Sequence, residues 1–253
     1  MLERRSPYAI ASNLTKHDII THRPQNLDPL NNNEATNGMF KECVTDAATR
    51  MKHDTKLFGR FDVASEPFKR DSKKVLVYYL GAGFCPWCAA ERWSIIEALK
   101  HFGTWGTLKL DKSAEKNEPF INLPTYNFSG AKFESDDVEF VGKEFQDRNF
   151  QDVDHFTDSD NAIIDNYNLQ GVIPFTFIGG RFVRIGSGPK PEQFVGLTHD
   201  EVKKQLESKG TNLAKAIEEE ANYIAALIYH SLLGKVEVPV HIKEIASQIK
   251  LII

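Results

Sequence analysis

Cysteine is scarce in this chain: three residues in 253, at Cys43, Cys85 and Cys88. That is too few for a disulfide framework, and the chain is long enough to build a core without one. One close pair and one remainder are left. Long apolar runs are missing as well, none approaching the roughly 18 residues of a membrane-spanning helix. Behind the basic residues of the N-terminal stretch MLERRSPYAIASNLTKHD there is no apolar h-region. A basic surplus is absent too. The net charge is −4 and the isoelectric point about 6.1, which argues against nucleic acid or an anionic membrane as the main partner. These absences lead to the expectation of a soluble, cytoplasmic protein.

What is present supports a sizeable core. Apolar residues make up 41% of the chain and include 17 phenylalanines, which is not a disordered composition. Residues 1–35 are polar and broken by Pro24 and Pro29. A helical pattern follows from Asn37 to His53, with Phe40, Cys43, Ala47 and Met51 on one face. The stretch KVLVYYL is a continuous β-branched and aromatic run, suited to a strand buried on both faces of a parallel sheet. After GAGF comes CPWCAAERWSIIEALKHFG, where Ala89, Trp93, Ile96 and Leu99 share a helical face. Pro86 fits the first helical turn and Gly103 the end. The cysteine pair therefore sits where a strand passes into a helix.

Residues 104–136 read as irregular, with a short strand at TYNF. DVEFVGKEF reads as a strand and DSDNAIIDNYNL as a short helix with an acidic first turn. In GVIPFTFIGGRFVRIGSG, the strands FTFI and RFVRI flank Gly179-Gly180, a two-residue hairpin signal. Thr198 and Glu201 form a capping box opening another helix. A longer helix ends before Gly234, and a terminal helix begins near Pro239. Leu213, Ile217, Ile224 and Ile228 of the long helix either pack on the core or supply a homodimer face.

Three readings of the cysteine pair compete. Structural zinc wants four ligands, whereas here there is one close pair, and His53, His101 and His155 are scattered. The second reading is two idle thiols acting as small buried hydrophobes. The third is redox chemistry, which the C-P-x-C spacing at a helix start favours. Cys85 would lie among unpaired amides at the positive end of the helix dipole, which stabilises a thiolate and makes it the attacking sulfur. Cys88, one turn deeper, would be the shielded resolving thiol, and Trp87 an exposed apolar platform beside them. Cys43 reads as a small buried residue, or more sharply as a third thiol exchanging with Cys85.

The second block lies at GVIPFTFIGG. Pro174 cannot donate to a sheet ladder, so it belongs at a strand start or in a tight turn. A buried strand, CPWC on a helix and VIPF leading into a GG hairpin together resemble the thioredoxin superfamily. The blocks YLGAGFCPWCAAERWSIIEALKHFG, LPTYNF, GVIPFTFIGG and GLTHDEV are similar to an archaeal family of thioredoxin-like proteins catalogued as a domain of unknown function. That likeness spans about residues 60–230 and leaves residues 1–55 outside. It implies an α/β, thioredoxin-like fold with an insertion at about 104–136 after the first helix. Residues 1–60 would be an N-terminal extension and residues 209–253 a C-terminal helical elaboration, with the thioredoxin-like domain at 61–208. It also implies a cis Pro174 facing the cysteine pair, with the backbone of Ile173 free to pair with an extended substrate.

The pattern departs from thioredoxins at one position. Those proteins carry a buried acid six residues before the first cysteine, where it moves the resolving thiol's proton. Here that position is Tyr79, and a tyrosine is no base near neutral pH. Glu91 and Arg92, just past the pair, either tune its charge or form an ordinary ion pair on a solvated helix face, the second being the expectation. The long segment 104–136 either restricts substrates or covers a sheet edge. GSGPKP at 186–191 lacks the context of a phosphate loop and reads as a turn.

The expected activity is thiol–disulfide exchange, with Cys85 as nucleophile, Cys88 as resolving thiol, and Trp87, Ile173 and Pro174 contacting substrate. No metal or bound cofactor is called for. The partners would be a protein or small-thiol disulfide and a reductase or thiol that recycles the pair. The alternative is a non-catalytic thioredoxin-like module that binds a peptide or protein. A metal site using Cys43, Cys85 and Cys88 ranks behind both.

Overall fold

A computed structural model describes Phe58 and residues 60–249; the helix expected at 37–53, with Cys43, lies outside the described residues. The chain opens with β1 (Asp62–Val63), then β2 (Val75–Gly81) and α1 (Pro86–Leu99). Four strands follow: β3 (Thr104–Trp105), β4 (Lys109–Lys112), β5 (Pro124–Asn127) and β6 (Phe133–Glu134). Then come β7 (Val138–Glu144), α2 (Asp158–Tyr167), β8 (Phe175–Ile178) and β9 (Phe182–Ile185). A 3-10 turn at Pro191–Phe194 leads to α3 (His199–Ser208), α4 (Asn212–Ser231) and α5 (Val240–Ser247).

The main sheet has the order β1-β9-β8-β2-β7. β2 runs parallel to β7, in register from Val75 opposite Val138 to Gly81 opposite Glu144. Its other neighbour, β8, is antiparallel, with Leu80 opposite Phe175. The hairpin β8–β9 turns on Gly179 and Gly180, both in the left-handed region at φ 61° and 72°. Ile178 pairs with Phe182, so the loop holds Gly179, Gly180 and Arg181, three residues rather than the expected two; Arg181 N–H donates to the Ile178 carbonyl at 3.1 Å, and the turn this closes needs positive φ at both glycines. The architecture is mixed α/β.

Alternation along β2 sorts its side chains between two apolar clusters. Val77 and Tyr79 face the cluster built with α1 and α4. Leu76, Tyr78 and Leu80 face the one that holds Ile163 and Ile164 of α2. This is why the strand reads as continuously apolar: both faces are covered. Helix α1 lies beside α4, both sharing one apolar cluster with Val77 and Tyr79 of β2, and it also packs on β5, so nearly every residue in it is buried. Trp93 anchors it, donating from Nε1 to the Pro124 carbonyl at 2.9 Å. In α4, Leu213, Ile217, Ile224 and Ile228 are buried against the core.

Helix ends follow the sequence closely. Thr198 and Glu201 form the expected capping box of α3. Thr157 and Asp160 form another on α2, a shorter acid doing the work of glutamate. Gly103 differs from expectation. The helix closes at Lys100 in a right-handed conformation, and Gly103 instead lets the chain pass tightly against the Glu134 carbonyl.

The segment 104–136 is more ordered than its composition suggests. It forms two antiparallel ribbons, β3 with β6 and β4 with β5. Trp105 stacks on Phe128 at 5.6 Å and meets Phe140 of β7 edge-on at 4.9 Å. The ribbon therefore packs on the outer strand of the sheet.

Candidate functional site

Strand β2 ends at Gly81, and the chain reaches α1 in four residues. The turn is tied down by Cys85 N–H donating to the Ala82 carbonyl at 3.2 Å and Gly83 N–H donating to Gln146 at 2.7 Å. Cys85 is the N-cap of α1, in extended backbone, with Pro86 in the first turn. Its Sγ accepts from the Cys88 amide at 3.4 Å, so the sulfur does meet the open amide end of the helix. Both cysteines are free thiols. Cys88 is fully buried and Cys85 is 6% exposed.

That burial corrects the expected charge balance. Burial pushes the Cys85 thiol well above its ordinary pKa, Cys88 and Glu118 push it further, and only the Cys88 amide pulls it down. A helix N-terminus lowers a thiol's pKa when water or cations share the site; here desolvation outweighs it.

The shielding comes from aromatic neighbours and from the inserted ribbons. Phe84 stacks on Phe150 at 4.6 Å and meets Phe145 at 5.8 Å. The Phe84 carbonyl accepts from Ala114 N–H at 3.1 Å, so the inserted segment is bonded to the cysteine turn. Trp87 is half-buried rather than an open platform, its ring edge-on to Phe120 of the same segment at 6.2 Å. The segment thus both packs on the outer strand and covers the turn.

Ile173 and Pro174 are joined by a cis peptide bond. Ile173 lies in the same apolar cluster as Phe84, Cys85 and Cys88. The loop is held from both sides. Asn168 clamps Val172, accepting from its N–H at 3.1 Å and donating to its carbonyl at 3.0 Å, while Gly186 N–H donates to the Pro174 carbonyl at 2.9 Å. Asn168 was not singled out in the sequence; an amide residue just after a helix and four before a tight turn was the available signal.

Beneath the pair lies a buried charge. Glu91 and Arg92 are both fully buried, against the expectation of a solvated face. The reason is tertiary: α1 is covered by α4 on one side and by the sheet on the other. Arg92 makes a bidentate pair with Glu144 of β7, Nε to Oε1 at 2.8 Å and Nη2 to Oε2 at 2.7 Å. Nη2 also donates to the Ala82 carbonyl at 2.9 Å and Nη1 to Thr125 Oγ1 at 3.4 Å. The guanidinium lies over the Tyr79 ring at 5.6 Å. Glu91 points elsewhere, accepting from Gly188 N–H at 2.9 Å, so the GSGPKP turn receives a buried carboxyl.

Among the described residues no three His, Cys, Asp or Glu side chains converge as metal ligands, and no helix is long and apolar enough to cross a membrane. No curated protein and no solved structure matches the chain. A family model described as "Domain of unknown function (DUF929)" matches residues 60–155, a span that holds the cysteine pair, Arg92 and Glu144 and stops short of Pro174. Over that span the chain is similar to an uncharacterised domain family.

Proposed function

We propose that this protein exchanges thiols and disulfides through Cys85 and Cys88, on a thioredoxin-like scaffold in the cytoplasm. The observation that carries the reading is the Cys85 sulfur at the helix N-cap, accepting the Cys88 amide, in one cluster with Ile173. The strand order supports the scaffold: a parallel pair, β7 and β2, continued by the antiparallel hairpin β8–β9, with α1 and α2 as connections. A chain with so few cysteines fits a reducing compartment.

The chemistry needs no resident cofactor. The Cys85 thiolate attacks one sulfur of a substrate disulfide, forming a mixed disulfide and releasing the other sulfur as a thiolate that takes a proton. Cys88 then attacks Cys85, a Cys85–Cys88 disulfide forms, and the second substrate sulfur departs. Two electrons have passed to the substrate, and a thiol or a reductase returns them. The backbone of Ile173 is the element against which an extended substrate would lie, with Trp87 at its flank.

The raised pKa of Cys85 favours a second reading, a scaffold that binds a peptide or protein without exchange. Insulin reduction, or turnover coupled to glutathione, separates the two. Exchange predicts activity that is lost in Cys85→Ser, and mixed disulfides with clients that accumulate in Cys88→Ser. An inactive wild type whose Cys85 reacts like a free thiol of pKa about 8.5 would leave only the binding module.

A further inference from the structure

The exchange reading leaves one question that the buried surroundings of Cys88 answer. A resolving thiol must attack as a thiolate, and a fully buried one needs something to hold that charge. Thioredoxins place an acid here; this chain has Tyr79. Its hydroxyl is buried and has no hydrogen-bond partner, a costly state for a polar group. Tyr79 and Gly81 point to the same face of β2, and the phenol lies along the strand over Gly81, where a Cβ would overlap the hydroxyl. The hydroxyl is thereby carried toward the cysteine end of the strand.

Above it is the helix face that bears Cys88 and Arg92, four residues apart and stacked one over the other. Arg92, sitting over the Tyr79 ring, fixes the phenol between strand and helix. We propose that Tyr79 donates its hydrogen bond to the Cys88 sulfur once that sulfur is anionic, and that Arg92 supplies the positive charge behind it. The inference rests on the exchange reading for its catalytic meaning.

Two effects support the contact. Burial pushes the Tyr79 phenol well above its ordinary value, so it keeps its proton; Arg92 pulls it down, and the nearby Cys88 sulfur raises it. Arg92 in turn feels Glu144, Tyr79 and Cys88. The charged and titratable groups around Cys88 are thus Cys85 and Arg92 on α1, Tyr79 on β2 and, behind Arg92, Glu144 on β7, while Glu118 of the inserted segment acts on Cys85. In the resolving step Cys88 gives up its proton, which ends on the departing substrate sulfur. Tyr79 keeps its own throughout, and its bond to sulfur strengthens as the thiolate forms and relaxes as the disulfide closes.

Tyr79→Phe tests this with little structural cost, because it removes an orphaned hydroxyl and keeps the ring. In full-length protein, a single-turnover quench should show Cys85 forming the mixed disulfide at the wild-type rate. Its resolution by Cys88 should slow about tenfold at neutral pH, the size of one hydrogen bond to a charged acceptor. Raising the pH should restore it. A second measurement avoids turnover: in Cys85→Ser, modification of Cys88 by methyl methanethiosulfonate should slow by the same factor on adding Tyr79→Phe, again recovering at high pH. An unchanged rate in that background, or a loss equal at every pH, overturns the role of Tyr79. A wild type that never forms a mixed disulfide sinks the exchange reading instead, and the modification rates still decide the Tyr79 contact.

Discussion

Neighbouring residues of one helix, Arg92 and Glu91, are buried in opposite ways. Arg92 meets a single carboxylate in a bidentate pair, and its remaining donors reach Ala82 and Thr125. On the other side of α1, Glu91 lies near a second buried acid, Glu220 of α4. The latter takes both arginines of that cluster, Arg60 at 2.7 Å and Arg184 at 2.9 Å. Glu91 keeps one amide, and its Oε1 has no partner. The electrostatic outcomes diverge accordingly. Burial raises Glu144 above the ordinary carboxylate value, although Arg92 and the Phe128 amide pull against it. Burial and Glu220 together hold Glu91 well above the ordinary carboxylate range, and Arg184, the Gly188 amide and Arg60 do not offset them. A buried acid with its own cation is raised less than one that shares its cations with another acid.

The comparison can be broken at its stronger end first. Arg92→Met leaves Glu144 in the core without its cation, and chemical denaturation should show a loss of about 3–5 kcal/mol. Replacing both partners, Arg92→Met with Glu144→Leu, should recover much of that loss, because a matched apolar pair leaves no orphaned charge. Glu220→Gln should cost less, roughly 2–3 kcal/mol, since its arginines are partly wetted.

Smaller still is Glu91→Gln, which should be near neutral in stability at pH 7, within about 1 kcal/mol. Its signature is pH dependence. The folded pKa of Glu91 lies above the unfolded value of about 4.3. Its contribution is therefore full below that unfolded value and is lost as pH rises through the folded one. Wild type minus Glu91→Gln should thus fall with rising pH. Adding Glu220→Gln removes the like charge and should flatten that slope. A slope of opposite sign would mean that Glu91 is charged in the folded protein. A comparably small loss is expected from Thr125→Val, which gives up a bond to the Ala89 carbonyl at 2.9 Å and a long one from Arg92, about 1 kcal/mol by thermal melts.

The order of these effects shows why parts of the site were legible and parts were not. Local rules were enough wherever a residue answers to its own neighbours. The apolar run KVLVYYL, Pro86 at the helix start, the Gly179-Gly180 hairpin and the Thr198–Glu201 box each state a backbone preference that nothing distant overrides. They placed Cys85 at a helix N-terminus and Pro174 at a strand start. The inserted ribbons were less legible, because β3, β4 and β6 are short strands whose pairing depends on partners 12 to 30 residues away.

The amino-acid sequence by itself settled the main elements outside the 104–136 segment, the cysteine pair on its helix and the mixed α/β class. Dielectric and charge pairing belonged to the tertiary structure alone. Whether Cys85 is wet, whether Glu91 is charged, and which acid Arg92 meets depend on surfaces brought together from β7, α4 and the 104–136 segment. A pKa is set by the distance to other charges and by the water that packing removes, and neither quantity exists until the chain has folded.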